Sequence, residues 1–399
     1  MQRTKENLLK IFSISLGFSI SFLLLEIYAR IAPATDIFPI EKPIVCNTND
    51  NISLNCLHRR KARLKGYWSA GKFKPYNEVA FKETNDIGQF SDVDFQTFVK
   101  AGNNNLKVLT IGDSFVQAIE VKNSSTFHGL LNNFKTINDR SIISTAIGSA
   151  GMAFPNYITS IKYAKSSTDL NNLVLIIPII ANDFDESFFR FAQKGRRGGL
   201  GQFYFKEDSE DLRFVSFPDE TNFTQKLINL TLRNSALSRY LIYNLKIGGY
   251  LKTNFEFLTS RNTKKVKFAA NIIETSKDET PERYRLGELA IDKFIYNLKN
   301  LRKSYKDREK TFLVLDADRE SIYKNIPLDK KSFYQTMRRK FVDVAIQNGF
   351  QVIDMKPIFK KDYSEKKLKF NSEYDGHWNE YGHKKISEEV IKKINKLRL

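Results

Sequence analysis

Two short segments far apart in the chain carry the residue types of a nucleophilic site. Gly112-Asp113-Ser114 directly follows the predicted strand Lys107 to Ile111, which places a serine where a buried strand would end. Asp375-Gly376-His377 supplies an imidazole and, two residues before it, a carboxylate. A hydroxyl nucleophile, a general base and a group that orients the base are the three parts of a catalytic triad. The pattern predicts acyl transfer at Ser114, with His377 as base and Asp375 as its orienting carboxylate.

Polar residues at two further strand ends are placed to hold the negative charge that develops on an acyl group. Gly148 to Gly151 follow the predicted strand Ser141 to Ile147, and Asn182 follows the apolar run Leu173 to Ile180. Ligands of open α/β sheets bind outside the carboxyl ends of the strands, so these residues are expected to converge with Ser114. The predicted oxyanion hole consists of the backbone amides of Ser114 and Gly151 and the side-chain amide of Asn182.

The elements that must position these residues alternate between strand and helix. After an insertion the alternation resumes with a long helix from Pro281, and it continues to the last predicted helix, Tyr381 to Lys396. Strands that alternate with helices form parallel sheets covered on both faces. The sequence predicts a flavodoxin-like, three-layer α/β/α fold. The other predicted elements are helices at 126–134, 155–164 and 330–348 and strands at 311–315 and 350–354.

The four polar blocks resemble those of the SGNH/GDSL hydrolase family, in which Ser, Gly, Asn and His form the site. Gly112-Asp113-Ser114 matches the first block, Gly148-x-x-Gly151 the second, Asn182-Asp183 the third and Asp375-x-His377 the last. The resemblance covers roughly residues 107–180 and the chain beyond residue 310. The third block usually begins with glycine, where this chain has Ile180. The Asp-x-His spacing is similar to the alginate and peptidoglycan O-acetyltransferase branch.

The resemblance implies ester chemistry carried out by side chains, without a cofactor or a metal ion. A metal site at His377 and His383 is also disfavoured by the residues themselves. The two imidazoles are six residues apart, which is not the spacing of a helical ligand pair, and no third His or Cys is adjacent.

An apolar stretch from Ile11 to Ala32 is long enough to cross a bilayer, which needs about 20 residues. Arg3, Lys5 and Lys10 precede it, so the positive-inside rule places residues 1–10 in the cytoplasm and the chain beyond the span outside. A cleavable signal peptide is the alternative, supported by the small residues that follow. The length of the apolar run favours an uncleaved anchor.

The cysteine content and the charge bear on the compartment and the partners. Cys46 and Cys56 follow the span closely, where an exported chain meets an oxidising compartment, so a disulfide is expected and two free thiols are the alternative. The formal charge of +19 concentrates anions near the surface. No nucleic-acid-binding motif is present, and acidic glycans or lipids are the expected partners.

These features predict a membrane-anchored serine esterase that removes O-acyl groups, with O-acetyl favoured, from an extracytoplasmic glycan. Two alternatives stay open: an O-acetyltransferase supplied by a separate multipass acyl-donor membrane protein, and an inactive glycan-binding protein of the same fold. Residues 33–105 are expected to form a neck and the start of the domain, and residues 106–399 the domain itself. An insertion is expected at about 186–280, with a helix from Thr224 to Leu245.

Overall fold

The computed structural model describes residues 2–31, 44–47, 52–54, 63–66, 80–102, 104–136, 139–189, 202–215, 223–244, 247, 280–327, 329–372 and 376–397. Their contacts divide the chain into two compact units. One unit contains the N-terminal helix and residues 64–81 and 219–264. The other contains residues 39–63, 82–218 and 265–399, which include the sheet. The side chains of Cys46 and Cys56 lie outside the described part of the chain, so their pairing stays a prediction.

In the described part of the chain the strands form one five-stranded parallel sheet and three two-stranded sheets, and the first and last of these pairs along the chain are antiparallel. In chain order they are Ile44–Asn47 (β1), Ile52–Leu54 (β2), Arg63–Gly66 (β3), Ala80–Glu83 (β4), Asn105–Gly112 (β5), Ser141–Gly148 (β6), Leu173–Ile179 (β7), Gln202–Phe205 (β8), Leu212–Val215 (β9), Thr311–Leu315 (β10) and Gln351–Asp354 (β11).

The helices cover both faces of the parallel sheet or belong to the N-terminal unit. In chain order they are Gln2–Ile31 (α1), Phe95–Lys100 (α2), Ser114–Gln117 (α3), Phe127–Leu131 (α4), Phe154–Lys165 (α5), Asp183–Glu186 (α6), Phe223–Asn234 (α7), Ala236–Arg239 (α8), Pro281–Leu301 (α9), Tyr305–Glu309 (α10), Arg319–Lys324 (α11), Phe333–Gln347 (α12), Met355–Lys366 (α13) and Glu380–Ile394 (α14).

The five-stranded sheet has the order β11-β10-β7-β5-β6, which is the flavodoxin-like arrangement and confirms the predicted fold class. Every pairing in it is parallel. Its central strand β7 is fully buried, because successive side chains enter opposite cores. Leu175 and Ile177 join the core under α5, α9 and α12, whereas Val174 and Ile176 join the core under α4, α13 and α14. This two-sided burial explains the unbroken apolar run.

The structure differs from the predicted helices at two places. The segment expected as one helix, Thr224 to Leu245, is helical over most of that range but is interrupted after Asn234, because the Ser235 side chain accepts the Ser238 N–H at 3.1 Å and starts α8; a π-helical stretch follows at Tyr240–Asn244. Helix α13 was not expected, since its charged stretch hides the apolar face formed by Met355 and Phe359.

The N-terminal helix α1 contains an apolar segment, Leu9–Ile31, that is long enough to span a membrane. Its large apolar side chains are exposed rather than packed into a protein core.

Candidate active site

Ser114 lies at a tight turn between β5 and α3. The Asp113 carboxylate accepts the Phe115 N–H at 2.9 Å and so caps the one-turn helix that begins at Ser114. A Cβ at Gly112 would lie 2.4 Å from Cγ2 of Val116, and one at Gly148 would lie 2.7 Å from its Cβ. Glycine is therefore required at both strand ends for Val116 to pack there. Ser114 itself stays half-buried.

Two buried side chains hold the carbonyl groups of this turn. The Lys82 ammonium donates to the Gln117 carbonyl at 2.9 Å, and Nε2 of His128 lies 3.2 Å from the Val116 carbonyl. Burial lowers the pKa of His128 to about 3, so its ring is neutral at physiological pH and Nε2 must carry the proton that the carbonyl accepts. The backbone of the turn is thus held by hydrogen bonds from two buried side chains.

His377 joins this turn to the last part of the sheet unit. Its Nε2 lies 2.8 Å from Oγ of Ser114, and its Nδ1 lies 3.1 Å from Oε1 of Glu120. The ring also packs against Phe115, with centroids 4.8 Å apart. His377 and Glu120 have buried side chains, which excludes water from the side of the imidazole away from Ser114. The structure therefore brings a hydroxyl, an imidazole and a carboxylate together in the order of a triad.

Glu120 is the residue that the sequence reasoning missed. Asp375, the expected carboxylate, lies outside the described residues, and the structure places Glu120 at Nδ1 of His377. Glu120 reaches that position because Ala118 ends α3 in the left-handed conformation, with φ 44°, and turns the chain back. The only signal in the sequence was a charged residue within the apolar stretch Phe115 to Val121.

The loop that carries His377 is held by a buried polar network. Arg319 donates to the Gly376 carbonyl at 2.6 Å and to Asp316 at 3.1 Å. Trp378 is fully buried and donates its indole N–H to the other oxygen of Asp316 at 3.1 Å. These bonds fix the backbone on both sides of His377, so the imidazole is positioned before any substrate binds.

The predicted oxyanion residues follow strands that end side by side. Gly112 and Gly148 are direct neighbours in the register, and β7 runs parallel on the other side of β5. Gly151 adopts φ 79° in the loop after β6. Asn182 begins α6, and its side-chain amide donates to the Glu186 carboxylate at 2.8 Å. One hydrogen of that amide is thus held by Glu186, which sequence reasoning did not identify.

Two buried carboxyl groups lie behind these loops. Asp183 accepts the Tyr157 hydroxyl and the Ile180 N–H, both at 2.8 Å. Burial raises the pKa of Asp183 well above its usual range, and the charge of Asp113 acts in the same direction. Burial also raises the pKa of Asp113, to about 7. Both residues hold loop backbone, so their role in the structure is to fix the ends of β5 and β7.

Lys82 lies close to the carboxylate of the triad. Burial lowers its pKa to about 7, while the charges of Glu120 and Asp92 oppose that shift. Its ammonium also lies 4.9 Å from the centre of the Phe90 ring. A buried carboxylate is costly unless a positive charge or hydrogen-bond donors compensate it. Lys82 therefore offsets part of the cost of burying Glu120 beside His377.

We expect Lys82→Met to remove a pH dependence of the free energy of unfolding. The folded pKa is near 7 and the ordinary value is 10.5, so between them the unfolded chain binds a proton that the folded chain does not. Wild-type stability therefore rises with pH across this window, by at most about 1.4 kcal/mol per pH unit. Urea denaturation in detergent should show the difference between the two proteins changing from pH 7 upward. A constant difference would contradict the assignment.

His383, the other imidazole of the last block, has a packing role. Its Nδ1 accepts the Phe127 N–H at 3.2 Å, and its ring meets Trp378 edge-on. Within the described ranges, no three His, Cys, Asp or Glu side chains are grouped so as to hold a metal ion.

Comparison with protein-family models and with curated protein sequences found no match. Two solved structures are similar over most of this chain. One is a member of the lipolytic protein G-D-S-L family from Veillonella parvula DSM 2008, with a TM-score of 0.36 and 10% identity over 73% of this chain and 100% of that one. The other is an alpha/beta hydrolase enzyme from the metagenome of Lake Arreo, Spain, with a TM-score of 0.35 and 13% identity over 76% and 99%. The chemistry assigned to this chain rests on its own geometry.

Proposed function

We propose that this protein is a serine esterase that cleaves O-acyl bonds through an acyl-enzyme on Ser114. The observation that carries the proposal is the proximity of three groups: Nε2 of His377 lies 2.8 Å from Oγ of Ser114, and Nδ1 of His377 lies 3.1 Å from Oε1 of Glu120. A serine becomes a useful nucleophile when a base at hydrogen-bond distance accepts its proton and a third group orients that base.

In the first half-reaction, Oγ of Ser114 attacks the carbonyl carbon of the ester while Nε2 of His377 takes its proton. The tetrahedral intermediate then collapses, the bond to the alcohol breaks, and the imidazolium returns the proton to the departing oxygen. Glu120 stabilises the imidazolium through Nδ1. Water repeats the sequence on the acyl-enzyme and releases the carboxylic acid.

The negative oxygen of the tetrahedral intermediate is assigned to the amides of Ser114 and Gly151 and the side-chain amide of Asn182. Each donor of this kind is typically worth about 3 kcal/mol of transition-state stabilisation. Glu186 supports the assignment, because it binds one hydrogen of the Asn182 amide and so limits how that group can rotate.

The proposed substrate is an O-acyl group, with O-acetyl favoured, on an extracytoplasmic glycan. Three observations support this choice. The apolar segment of α1 would keep the enzyme at a membrane, the basic residues before it would leave the sheet unit on the outer side, and the formal charge of +19 suits an anionic polymer.

Transfer to a sugar hydroxyl is the second candidate, favoured by the Asp-x-His spacing of the last block. It would need a multipass membrane partner to deliver the acyl group. If the protein is a hydrolase, purified full-length enzyme should release acetate from an acetylated glycan at a rate that an added oligosaccharide acceptor does not change. Acetyl appearing on the acceptor, detected by mass spectrometry, would instead identify a transferase.

We expect a fluorophosphonate probe to label the full-length protein at Ser114, because the phosphorus mimics the tetrahedral intermediate at the activated hydroxyl. Mass spectrometry of the digested protein should find the adduct on the peptide that contains Ser114. Ser149→Ala offers a matched control, since Ser149 is a buried serine in the neighbouring loop, and should label like the wild type. Labelling at another serine, or unchanged labelling of His377→Ala, would contradict the proposal.

A further inference from the structure

The anchor helix carries a carboxylate within its apolar segment, and a second helical segment binds it. Glu26 accepts hydrogen bonds from the hydroxyl of Ser235 at 2.8 Å and from the backbone amides of Ala236 and Leu237 at 2.9 Å. All of these residues belong to the N-terminal unit. The first amides of a helix lack partners within that helix, and a carboxylate is a favourable partner for them. Glu26 therefore joins α1 to the start of α8.

The other end of this junction is held by arginine. Arg30 donates from Nε to Oε1 of Glu26 at 2.9 Å, and from its guanidinium to the Asn234 carbonyl, also at 2.9 Å, at the end of α7. Arg239 donates to the Leu232 carbonyl at 3.0 Å. Between these polar contacts, Ala29 packs against α8 and is almost fully buried. At the break near Ser235, the last carbonyl group of α7 and the first N–H groups of α8 are therefore bonded to charged side chains rather than to water.

The position of Glu26 sets the depth of this junction. Glu26 lies five residues before Ile31, the end of the segment that could span a membrane. At about 1.5 Å per residue, this is about 7 Å along the helix from that end. Amphipathic helices in the membrane interface lie about 5–10 Å into the boundary between headgroups and acyl chains. If α1 crosses a bilayer, the segment bound to Glu26 lies at that boundary.

The surface of α7 and the residues after α8 suits this environment. Leu227, Ile228, Leu230 and Ile242 are all between 44% and 58% exposed. These side chains and the exposed apolar side chains of α1 belong to the same unit. An exposed apolar surface of this kind is suited to contact with lipid. Such a surface in water would be unusual for a unit of this size, whereas it would complete the lipid-facing surface of the anchor.

Two polar side chains on α7 bond back to carbonyl groups of the same helix. The Thr231 hydroxyl donates to the Leu227 carbonyl and the Asn234 amide to the Leu230 carbonyl, both at 2.8 Å. Within the span, Ser19 bonds the carbonyl of Ser15 in the same way at 2.9 Å. In hydrocarbon a polar group must find a partner within the protein, and bonding back to the preceding turn is how Ser and Thr achieve this.

We infer that residues 223–242 form a second membrane element, an amphipathic segment that lies in the boundary layer of the bilayer crossed by α1 and is held to α1 by Glu26 and Arg30. The inference rests on the proposed anchor and not on the chemistry at Ser114. The segment would bind to the boundary between the lipid headgroups and the acyl chains. It gives part of the insertion a role, since the segment would fix the rotation of the anchor about its own axis.

Nitroxide quenching in phosphatidylcholine proteoliposomes tests this placement. The full-length protein would carry Cys46→Ser and Cys56→Ser and one new cysteine labelled with the fluorophore NBD. Leu230→Cys reports on the segment, Leu16→Cys on the span, and Ile346→Cys on an exposed apolar position of the sheet unit. Lipids with a nitroxide near the headgroup should quench NBD at Leu230, and lipids with a nitroxide at the chain end should quench it at Leu16. Neither of the two nitroxide lipids should quench NBD at residue 346.

The outcomes separate the two assignments. Quenching at Leu16 without quenching at Leu230 would overturn the second element and keep the anchor, whereas no quenching at either position would overturn both. A blue shift of NBD at Leu230 without lipid quenching would show that protein, such as a second copy of this chain, covers the face. That result would also overturn the inference.

A charge variant tests the junction. Glu26→Ala should lose the quenching at Leu230 while that at Leu16 remains, because the segment would no longer be held at the depth of residue 26. Glu6→Ala is the matched control, since Glu6 lies on the same helix but before the apolar segment. Full quenching of Leu230 in Glu26→Ala would contradict the role of Glu26.

Discussion

Ser114→Ala is expected to lower kcat/KM for a small acetyl ester by at least about 10³-fold, because the acyl-enzyme can no longer form. The stability of the protein should hardly change. Ser114 is half-buried at a turn, and the turn is held by the Asp113 carboxylate, by Lys82 and by His128 rather than by the serine hydroxyl. Initial rates with a chromogenic acetate, together with urea denaturation, measure both effects.

The informative comparison for this variant is Ser149→Ala, which removes a buried hydroxyl from the neighbouring loop and should keep the wild-type rate. Activity of Ser114→Ala above a few per cent of the wild type would remove Ser114 from the mechanism. A large loss of stability in Ser114→Ala would show that the serine is needed for the fold.

Glu120→Gln is expected to lower kcat by about 10⁴-fold, the loss typical when the carboxylate that orients a catalytic histidine is removed. An amide at this position would offer an N–H to Nδ1 of His377 and favour the wrong tautomer. The negative charge that stabilises the imidazolium would also be lost. The variant should bind substrate with little change in KM, since Glu120 lies behind the imidazole, on the Nδ1 side away from Ser114.

Asp375→Asn is the paired variant, because Asp375 has the spacing that first pointed to an orienting carboxylate. We expect a much smaller loss of kcat there, because Glu120 is the carboxylate that lies 3.1 Å from Nδ1 of His377. An equal or larger loss in Asp375→Asn would return the orienting role to Asp375.

The sheet could be predicted from the sequence because its strands are buried on both faces. In β7, successive side chains enter two different cores, which leaves an apolar run that no surface element would carry. Ser114 and His377 could be paired because a serine at a strand end and a histidine before the last helix both fall at the carboxyl edge of the sheet. The topology alone brings these two positions together.

Glu120 could not be predicted, for a reason that lies in the backbone. It approaches His377 only because Ala118 adopts a left-handed conformation. Alanine gives no sequence signal for that conformation, which glycine or asparagine would have given. The Asp-x-His spacing predicts a different carboxylate, Asp375, because it lies near His377 in the sequence. The break at Ser235 was hidden similarly, since serine occurs both within helices and at their starts.

The arrangement of the triad has a consequence for the order in which the enzyme gains activity. Ser114 and Glu120 lie on one turn, whereas His377 is 263 residues further along the chain than Ser114. A ribosome makes the nucleophile and the orienting carboxylate long before the base. Under the proposed mechanism, Ser114 is an ordinary alcohol without a base to activate it until the loop around His377 docks. Reactivity toward an acylating probe would therefore report the last long-range closure of folding.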